Sequence, residues 1–206
     1  MLADRYDLFI FDWDGTLSTT TPIVIFARLL KPRYSVAHIE QHEGSYMHES
    51  IAELRAQEEI NKLYDFAYSL YSVLYRPRLK NGAMETLESL KSRGKRIAVF
   101  SDSNRYRLHI EADRLGVAKY ADMVLSADSI KKFKPNPAGL RAIMKRFRIS
   151  SKRCIYIGDM AVDVFTARFA GIASCVVRDG VDPYATLKSA RPDYIAASLS
   201  GIMHVK

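Results

Sequence analysis

The chain has 206 residues, of which 48% are hydrophobic and 26% are charged, and its formal net charge at pH 7 is +8. These proportions are those of a globular protein with a full core, and they exclude a chain that is disordered throughout. No apolar run approaches the roughly 18 residues of a membrane span, and the N-terminus lacks a signal-peptide pattern, so we expect a cytoplasmic protein.

The first predicted element is a buried strand over residues 6–11, a nearly continuous apolar run that ends in charged, glycine-containing sequence. Such runs are typical of a parallel sheet that is covered on both faces. Further strands are predicted at 96–100, 123–125, 154–157, 174–177 and 194–197. Helices are predicted at 83–93, 104–115, 137–147 and 161–170. Strands that alternate with helices of this length predict an α/β fold, a Rossmann-like, doubly wound parallel sheet.

The segment between the first two strands breaks this alternation, because it shows helical periodicity and no convincing strand. Thr21 is a suitable N-cap, and Pro22 suits the first position of a helix. Helices are predicted here at 22–30, 35–42, 47–58 and 61–75. We therefore expect a core domain of residues 1–17 and 80–206, with an inserted α-helical cap domain of residues 18–79.

Two other features of the composition carry little functional information. Cys154 and Cys175 lie inside apolar strand runs, where we interpret them as small buried side chains rather than a disulfide or a metal pair. Basic residues cluster at 131–134, 145–148 and 152–153, and such clusters can bind nucleic acid or attract an anionic substrate. They are also typical of solvated helix ends and loops, and no nucleic-acid signature accompanies them, so we expect neither a nucleic acid nor a membrane as partner.

Acidic side chains stand where predicted strands end. Asp12 and Asp14 follow the first strand, and Asp159 follows the fourth, with Asp163 four residues later. The carboxyl ends of parallel strands meet at one edge of the sheet, so we expect these groups to converge there. Two carboxylates about 4 Å apart repel by about 4 kcal/mol at an effective dielectric near 20. A single lysine, Lys134, would not balance four of them, so the cluster predicts a divalent cation, and Mg²⁺ fits when a phosphate completes its shell.

Four motifs occur in a fixed order along the chain. They are Asp-x-Asp-Gly-Thr at 12–16, an apolar strand that ends in the hydroxyl of Ser101, Lys134-Pro135, and Gly-Asp-x-x-x-Asp at 158–163. Together they resemble the haloacid dehalogenase-like (HAD) hydrolase superfamily over almost the whole chain. The insertion after the first motif resembles the helical cap of the phosphoglycolate phosphatase and β-phosphoglucomutase branch.

The resemblance implies a magnesium-dependent phosphatase that acts on a small phosphorylated metabolite through an aspartyl phosphate on Asp12. Asp14 would protonate the leaving oxygen and then take a proton from the attacking water. The ligands of Mg²⁺ would be the carboxylates of Asp12 and Asp159 and the main-chain carbonyl of Asp14. An alkoxide that leaves phosphorus needs a proton and a halide does not, so Asp14 favours phosphate esters over haloacids.

The resemblance also implies which groups bind the phosphoryl oxygens. They would be the side chains of Ser101 and Lys134 and the main-chain N–H groups of Trp13, Asp14 and Asp102. Asp163 would orient Lys134 or a metal-bound water from outside the ligand set. Asp102 stands where the family often has Asn or Ser, and we expect its carboxylate to turn away and cap the helix at 104–115.

Several alternatives stay open at this point. A phosphomutase of the β-phosphoglucomutase type would use the same core residues and differ in how its cap excludes water. A non-catalytic module could keep the fold and use its basic face for binding. In the cap, the turn at 43–46 resembles a substrate-specificity loop, and His38 and His42 could face it, pair on a metal, or lie at the surface, the last being the preferred interpretation. Both a monomer and a homodimer are compatible with the sequence.

Overall fold

The computed structural model describes residues 1–20, 35–42 and 76–205. Its strands are β1 (Leu8–Phe11), β2 (Arg96–Ser101), β3 (Met123–Ser126), β4 (Cys154–Gly158), β5 (Ala173–Val177) and β6 (Tyr194–Ala196). Its α-helices are α1 (Leu2–Arg5), α2 (Val36–Gln41), α3 (Ala83–Ser92), α4 (Arg105–Arg114), α5 (Ala127–Ile130), α6 (Ala138–Phe147), α7 (Ala161–Ala170), α8 (Tyr184–Ser189) and α9 (Leu199–Ile202). Short 3₁₀ helices span Val117–Lys119 and Ser151–Arg153. The strands and helices predicted for the core are confirmed, with ends that shift by at most two residues.

The strands of the described residues form one six-stranded parallel sheet in the order β3-β2-β1-β4-β5-β6. This order confirms the doubly wound fold. At the end of β1, Phe11 lies between Val99 of β2 and Ile157 of β4. Strand addition changes direction at this point, between β1 and β4, and open α/β sheets bind their ligands beyond the carboxyl ends of the strands at such a switch point.

The sequence of β1 explains why it lies at the centre of the sheet. All four of its residues are fully buried, and alternate side chains face opposite sides. Phe9 and Phe11 pack into an apolar cluster that includes residues of α3 and α4, whereas Leu8 and Ile10 pack into one that includes residues of α6. Burial of a large apolar side chain contributes about 1.5–3 kcal/mol, so the strand is held from both faces. The polar residues that follow it therefore start from a fixed position.

The inserted segment is described at its two ends and at α2. Its two connections to the core run side by side, since the main-chain N–H of Thr19 donates to the carbonyl of Arg78 at 2.7 Å and that of Lys80 donates to Leu17 at 2.9 Å. The observed α2 agrees with the helix predicted at 35–42. The helices predicted at 22–30, 47–58 and 61–75, and the predicted specificity loop at 43–46, lie outside the described residues. The cap domain therefore stays a prediction.

The two cysteines have the surroundings of buried apolar side chains. Cys154 and Cys175 are both buried and free. Burial raises the pKa of each thiol to about 12, so neither carries a reactive thiolate near neutral pH. Within the described parts of the chain, the helices are too short or too polar to cross a bilayer.

Candidate active site

The turn after β1 carries the first two aspartates. Asp12 follows Phe11 directly, its main-chain N–H donates to the carbonyl of Ile157 at 2.8 Å, and 1% of its surface is exposed. Gly15 has a φ of +85°, and a Cβ atom at this position would lie 2.2 Å from Oδ2 of Asp159. A residue with a side chain would be strained by the angle and would collide with the carboxylate. The glycine of the first motif thus brings the β1 turn against the β4 turn.

Lys134 lies between two aspartates that come from different turns. Its Nζ donates to Oδ1 of Asp12 at 2.6 Å and to Oδ1 of Asp163 at 2.8 Å. The three side chains are at most 3% exposed. Because a buried carboxylate without a partner is costly, the lysine provides the counter-charge that both acids need. We call Asp12, Lys134 and Asp163 the lysine cluster.

The ring of Tyr156 closes one side of the lysine cluster. Its centre lies 5.4 Å from Nζ of Lys134, within the range of a cation–π contact. Its hydroxyl donates to the carbonyl of Phe100 at 3.2 Å and to Oδ1 of Asp163 at 3.3 Å. Burial, together with the charges of Asp163 and Asp12, raises the pKa of Tyr156 well above its ordinary value. The phenol therefore stays protonated and remains a hydrogen-bond donor at any ordinary working pH.

Asp163 also holds the turn after β4. Its Oδ2 accepts the main-chain N–H groups of Asp159 at 3.1 Å and Met160 at 3.0 Å. Oδ1 of Asp159 accepts the hydroxyl of Thr16 at 2.9 Å, which joins this turn to the first motif. The four-residue spacing of Asp159 and Asp163 in the fourth motif therefore also has a structural reason. At this spacing Asp163 accepts main-chain N–H groups at the start of α7.

Residues 179–182 complete the surroundings of Asp159, and they were not among the residues predicted from the sequence. The main-chain N–H of Val181 donates to Oδ2 of Asp159 at 2.7 Å, and Asp182 accepts the N–H of Ala161 at 2.8 Å. A Cβ atom on Gly180 would lie 2.1 Å from Cβ of Asp159. The sequence did contain an indication of this role. The stretch Asp-Gly-Val-Asp just after a predicted strand combines acidic residues with glycine, as the other polar turns of the site do.

Lys80 ties the second connection of the insertion to the same turns. Its Nζ donates to the carbonyls of Gly15 at 3.2 Å and Asp179 at 2.5 Å, and it forms an ion pair with the Asp179 carboxylate at 3.0 Å. A cavity of about 270 Å³ opens here, with Thr19 and Thr20 in its wall. The cavity therefore borders the β1 turn on the side from which the insertion leaves the core.

Ser101 ends β2 and is buried at the same edge of the sheet. Its hydroxyl donates to Oγ of Ser103 at 3.0 Å and accepts the main-chain N–H of Ser103 at 3.1 Å. Ser103 donates in turn to Oδ2 of Asp14 at 2.6 Å. Hydroxyl groups thus connect the β2 turn with the β1 turn, and the predicted phosphate-binding hydroxyl lies two hydrogen bonds from Asp14.

The prediction that Asp102 caps the following helix was wrong. The N-cap of α4 is Asn104, whose side-chain oxygen accepts the N–H of Tyr106 at 2.9 Å. Since the helix begins at Arg105, the residue just before it takes the capping position, and Asp102 lies too far upstream. Oδ1 of Asp102 accepts the main-chain N–H of Lys134 instead, at 3.0 Å. Its carboxylate therefore holds the loop that carries the lysine.

Asp14 contacts a second buried cation, Arg107 of α4, which was not among the site residues predicted from the sequence. Both terminal nitrogens of the guanidinium donate to the Asp14 carboxylate, Nη1 to Oδ2 at 3.2 Å and Nη2 to Oδ1. Nε of Arg107 donates to Oε1 of Glu111 at 3.1 Å. The other oxygen of Glu111 accepts Nε1 of Trp13 at 2.7 Å. We call Asp14, Arg107 and Glu111 the arginine cluster.

The arginine cluster was missed because charged residues on a helix usually face solvent. Arg107 and Glu111 are nevertheless buried, with 8% and 4% exposure. Their positions in the sequence were the indication of this burial. Each directly precedes an apolar residue, Leu108 or Ala112, and Leu108 and Ala112 are four residues apart. Residues at that spacing share one face of a helix, so the charged pair lies next to the face that packs on the sheet.

The carboxylates fit the predicted divalent cation. Asp12, Asp159 and Asp163 each offer one oxygen, and these oxygens lie within 4.8 Å of one another. All three residues are buried, and the ammonium of Lys134 is the counter-charge within hydrogen-bond distance of two of them. Hard oxygen donors of this kind suit Mg²⁺ better than metals that prefer nitrogen or sulfur. The set includes the carboxylate of Asp163, which the prediction placed outside the ligands.

His38 of α2 and His42, the residue that caps the C-terminus of this helix, lie together. Their rings are stacked with centres 4.3 Å apart, and Nδ1 of His42 lies 2.9 Å from the carbonyl of His38. Between them, Ile39 is buried in an apolar cluster with Met160, at the start of α7. That contact places α2 close to the β4 turn. Contact of the histidines with a substrate stays a prediction.

The family model, the relatives and the solved structure that this chain resembles are all hydrolases. A family model described as haloacid dehalogenase-like hydrolase matches residues 9–177. A phosphoglycolate phosphatase from Vibrio vulnificus is 30% identical over 228 positions that cover 100% of this chain and 98% of the relative. Pyrophosphatase PpaX from Bacillus velezensis is 24% identical over 221 positions, with 100% and 98% coverage. The crystal structure of a HAD-family hydrolase from Deinococcus radiodurans with bound phosphate and sodium shares the fold, with a TM-score of 0.68, 20% identity, and coverage of 95% of this chain and 93% of that one.

Proposed function

Because the chain belongs to the haloacid dehalogenase-like hydrolase family, we propose that it is a magnesium-dependent phosphatase that transfers the phosphoryl group of a small phosphate monoester to Asp12. The observation that carries this proposal is the lysine cluster at the switch point of the sheet. The Asp12 carboxylate is 1% exposed, lies 2.6 Å from the ammonium of Lys134, and shares its surroundings with two further carboxylates. A core of apolar side chains gains nothing from such a group, so a chemical role accounts for it.

The chemistry of the first step follows from the two acids of the β1 turn. An oxygen of the Asp12 carboxylate attacks phosphorus, and the bond between phosphorus and the leaving oxygen breaks. Asp14 gives a proton to that oxygen as it departs. Ser101, Lys134 and the main-chain N–H groups of the turns stabilise the charge on the phosphoryl oxygens.

The second step regenerates the enzyme. Asp14, now a carboxylate, takes a proton from water, and the water oxygen attacks the phosphorus of the aspartyl phosphate. The bond to Asp12 breaks, inorganic phosphate forms, and both carboxyl groups return to their starting state. Asp14 therefore acts as an acid first and as a base second, which requires that its carboxyl group keep one position through both steps.

Mg²⁺ would be held by Asp12, Asp159 and the main-chain carbonyl of Asp14, with Asp163 close to the same oxygens. The ion, when bound, supplies positive charge against the carboxylates and the phosphoryl oxygens. Thr16 and Val181, which donate hydrogen bonds to Asp159 at 2.9 and 2.7 Å, orient the carboxylate for this role.

The substrate class rests on the relatives and on Asp14. The relatives of this chain include phosphoglycolate phosphatases and pyrophosphatases, so the first substrates to test are phosphoglycolate, pyrophosphate and sugar phosphates. A proton donor at the leaving group suits esters of ordinary alcohols, whose alkoxides are strong bases.

The test is a panel of these phosphates with and without Mg²⁺, run beside Asp12→Asn. The exposed Asp113 on α4 provides the matched control, Asp113→Asn. We expect phosphate release that requires the metal, a loss of at least about 10⁴-fold in kcat for Asp12→Asn, and unchanged activity for the control.

Other outcomes separate the alternatives. Equal activity in Asp12→Asn would contradict covalent catalysis. A sugar phosphate that is isomerised without free phosphate would indicate a phosphomutase. Absence of turnover on the whole panel, with retention on a nucleic-acid column that falls steeply with salt, would favour the non-catalytic basic module.

A further inference from the structure

The arginine cluster lies beside the proposed acid–base residue and belongs to none of the four motifs. Arg107 donates from all three of its guanidinium nitrogens to protein acceptors, namely Asp14, Glu111 and the hydroxyl of Ser103 at 3.0 Å. Its side chain is 6% exposed. A guanidinium with all its nitrogens engaged in this way is placed to hold a neighbour rather than to bind a substrate phosphate.

We propose that Arg107 is a positioning residue for Asp14, and that Trp13 and Glu111 hold Arg107 in the orientation this requires. The inference rests on the proposed function, in which Asp14 transfers protons. It assigns the α4 helix a part in the reaction that is separate from phosphate and metal binding, and it gives the indole of Trp13 a polar role beside its packing.

A continuous series of hydrogen bonds connects Trp13 with Asp14 through Glu111 and Arg107. Nε1 of Trp13 donates to Glu111 at 2.7 Å, Glu111 accepts Nε of Arg107 at 3.1 Å, and the two terminal nitrogens of Arg107 meet the two oxygens of Asp14. Trp13 is the residue between the two catalytic aspartates. The series of hydrogen bonds therefore starts in the β1 turn, passes through two side chains of α4 and ends in the β1 turn again. One backbone segment thereby supplies both the anchor and the group that is anchored.

The geometry of the guanidinium explains why an arginine stands here. Its planar fork matches the two oxygens of a carboxylate and fixes the rotation of the carboxyl plane, whereas an ammonium supplies charge without that constraint. Ser103 adds a donor to Oδ2 of Asp14 at 2.6 Å. In the proposed reaction Asp14 is protonated before the first step and ionised before the second, so the guanidinium faces one carboxylate and then two.

A positioning role makes a specific kinetic prediction. Loss of the fork should harm the reaction most when the leaving group needs a proton, because Asp14 supplies it. An ester such as p-nitrophenyl phosphate has a leaving group that departs as an anion without help, so it reports on phosphate binding and attack by Asp12. The alkyl ester that the wild type hydrolyses fastest in the panel reports on proton transfer as well.

The test measures kcat and kcat/KM on both esters for Arg107→Lys, Arg107→Met and Trp13→Phe. We expect both Arg107 variants to lose about 10- to 100-fold in kcat on the alkyl ester and far less on p-nitrophenyl phosphate. Trp13→Phe should change the ratio of the two rates in the same direction by a smaller factor. The exposed Arg146 at the end of α6 supplies the control, Arg146→Met, which should leave both rates unchanged.

A double-mutant comparison separates positioning from general damage. In an Asp14→Asn background there is no proton donor left to position, so Arg107→Met should cost nothing further on the alkyl ester. Arg107→Met leaves two buried carboxylates without their cation and could fail to fold. In that case Arg107→Lys and Trp13→Phe, which both keep a cation between the acids, carry the test.

Two results would overturn the inference. One is an equal loss on both esters, and the other is an undiminished effect of Arg107→Met in the Asp14→Asn background. If the wild type hydrolyses neither ester, the proposed function itself fails. If the wild type hydrolyses both and the Arg107 variants lose both rates equally, the inference fails and the proposed function stands.

Discussion

The lysine cluster and the arginine cluster are built on the same plan and differ in the cation. Each places one cation between two buried carboxylates, Lys134 between Asp12 and Asp163, and Arg107 between Asp14 and Glu111. Their first acids are two residues apart on one turn. The ammonium is a compact charge with rotatable donors, whereas the guanidinium is a rigid planar fork.

The difference matches what each acid has to do in the proposed reaction. Asp12 needs charge nearby that is able to shift toward the phosphoryl oxygens as they arrive, and a lysine on a flexible stem provides it. Asp14 needs a constant position through two proton transfers, and a bidentate arginine provides that. We infer that charge is the main contribution of the lysine cluster and geometry that of the arginine cluster.

The largest expected effect comes from removal of the lysine. Lys134→Met leaves Asp12 and Asp163 buried without their ammonium, and loss of one partner from a buried ion pair costs about 3–5 kcal/mol. We expect a decrease of that size in the free energy of unfolding, measured by urea denaturation without metal, and loss of turnover on every ester. Because Mg²⁺ would then be the remaining counter-charge, its addition should recover part of the stability.

Lys134→Arg sharpens the same experiment, because it keeps the charge and changes the shape. If the lysine contributes charge, the arginine variant should retain more stability than Lys134→Met. Equal stability of the two variants in the absence of metal would contradict the electrostatic account of this cluster.

The second prediction compares the outer acids. Asp163→Asn keeps an oxygen for the N–H groups of Asp159 and Met160 but removes the charge that faces Lys134, and we expect kcat to fall by about 10- to 100-fold on all esters alike. Glu111→Gln, the counterpart in the arginine cluster, should lower kcat less and mainly on alkyl esters. Steady-state kinetics on both ester types checks this, and identical ester profiles for the two variants would remove the distinction between the clusters.

The smallest expected effects come from single donors at the edge of each cluster. Tyr156→Phe and Trp13→Phe each remove one donor group, and a hydrogen bond to a charged group contributes about 1.5–3 kcal/mol as an upper bound here. Urea denaturation of both variants measures the loss. Since the pKa of Tyr156 is raised well above its ordinary value, its phenol does not titrate below pH 10, and Tyr156→Phe should leave the pH–rate profile up to that value unchanged in shape.

A new or missing alkaline limb in the Tyr156→Phe profile would show that the phenol takes part in proton transfer. A loss of stability in Trp13→Phe that greatly exceeds that in Tyr156→Phe would indicate that the indole matters for packing more than for its hydrogen bond to Glu111.

The sequence predicts the core of this molecule well, because its strands are buried on both faces and carry nearly continuous apolar runs. The lysine cluster was also within reach, since Asp12, Lys134 and Asp163 stand in motifs whose order indicates a common edge of the sheet. The arginine cluster could not be predicted in this way, because the burial of Arg107 depends on how α4 packs on the sheet and on the acceptors that Asp14 supplies. Helix periodicity alone does not specify such long-range partners.

Local sequence patterns also gave a wrong prediction where two nearby residues both suited the N-cap of α4. Asp102 and Asn104 are both suitable capping residues, and the difference between them depends on where the helix starts, which sequence patterns locate only to within a few residues. The loop at 179–182 had the right composition for a site, but its contact with Asp159 follows from the pairing of β5 with β4. Strand order decides that contact, and strand order is a property of the whole sheet.

The most direct test of the account is to look for the phosphoryl group on Asp12. The enzyme is mixed with substrate and Mg²⁺ for a single turnover, quenched in acid, digested, and analysed by mass spectrometry. We predict that the peptide that contains Asp12 gains the mass of one phosphoryl group during turnover, that the modification lies on Asp12, and that it disappears as the substrate is exhausted. Turnover of a phosphate ester with no phosphorylated form of this peptide at any quench time, under conditions that preserve a standard acyl phosphate, would contradict the account.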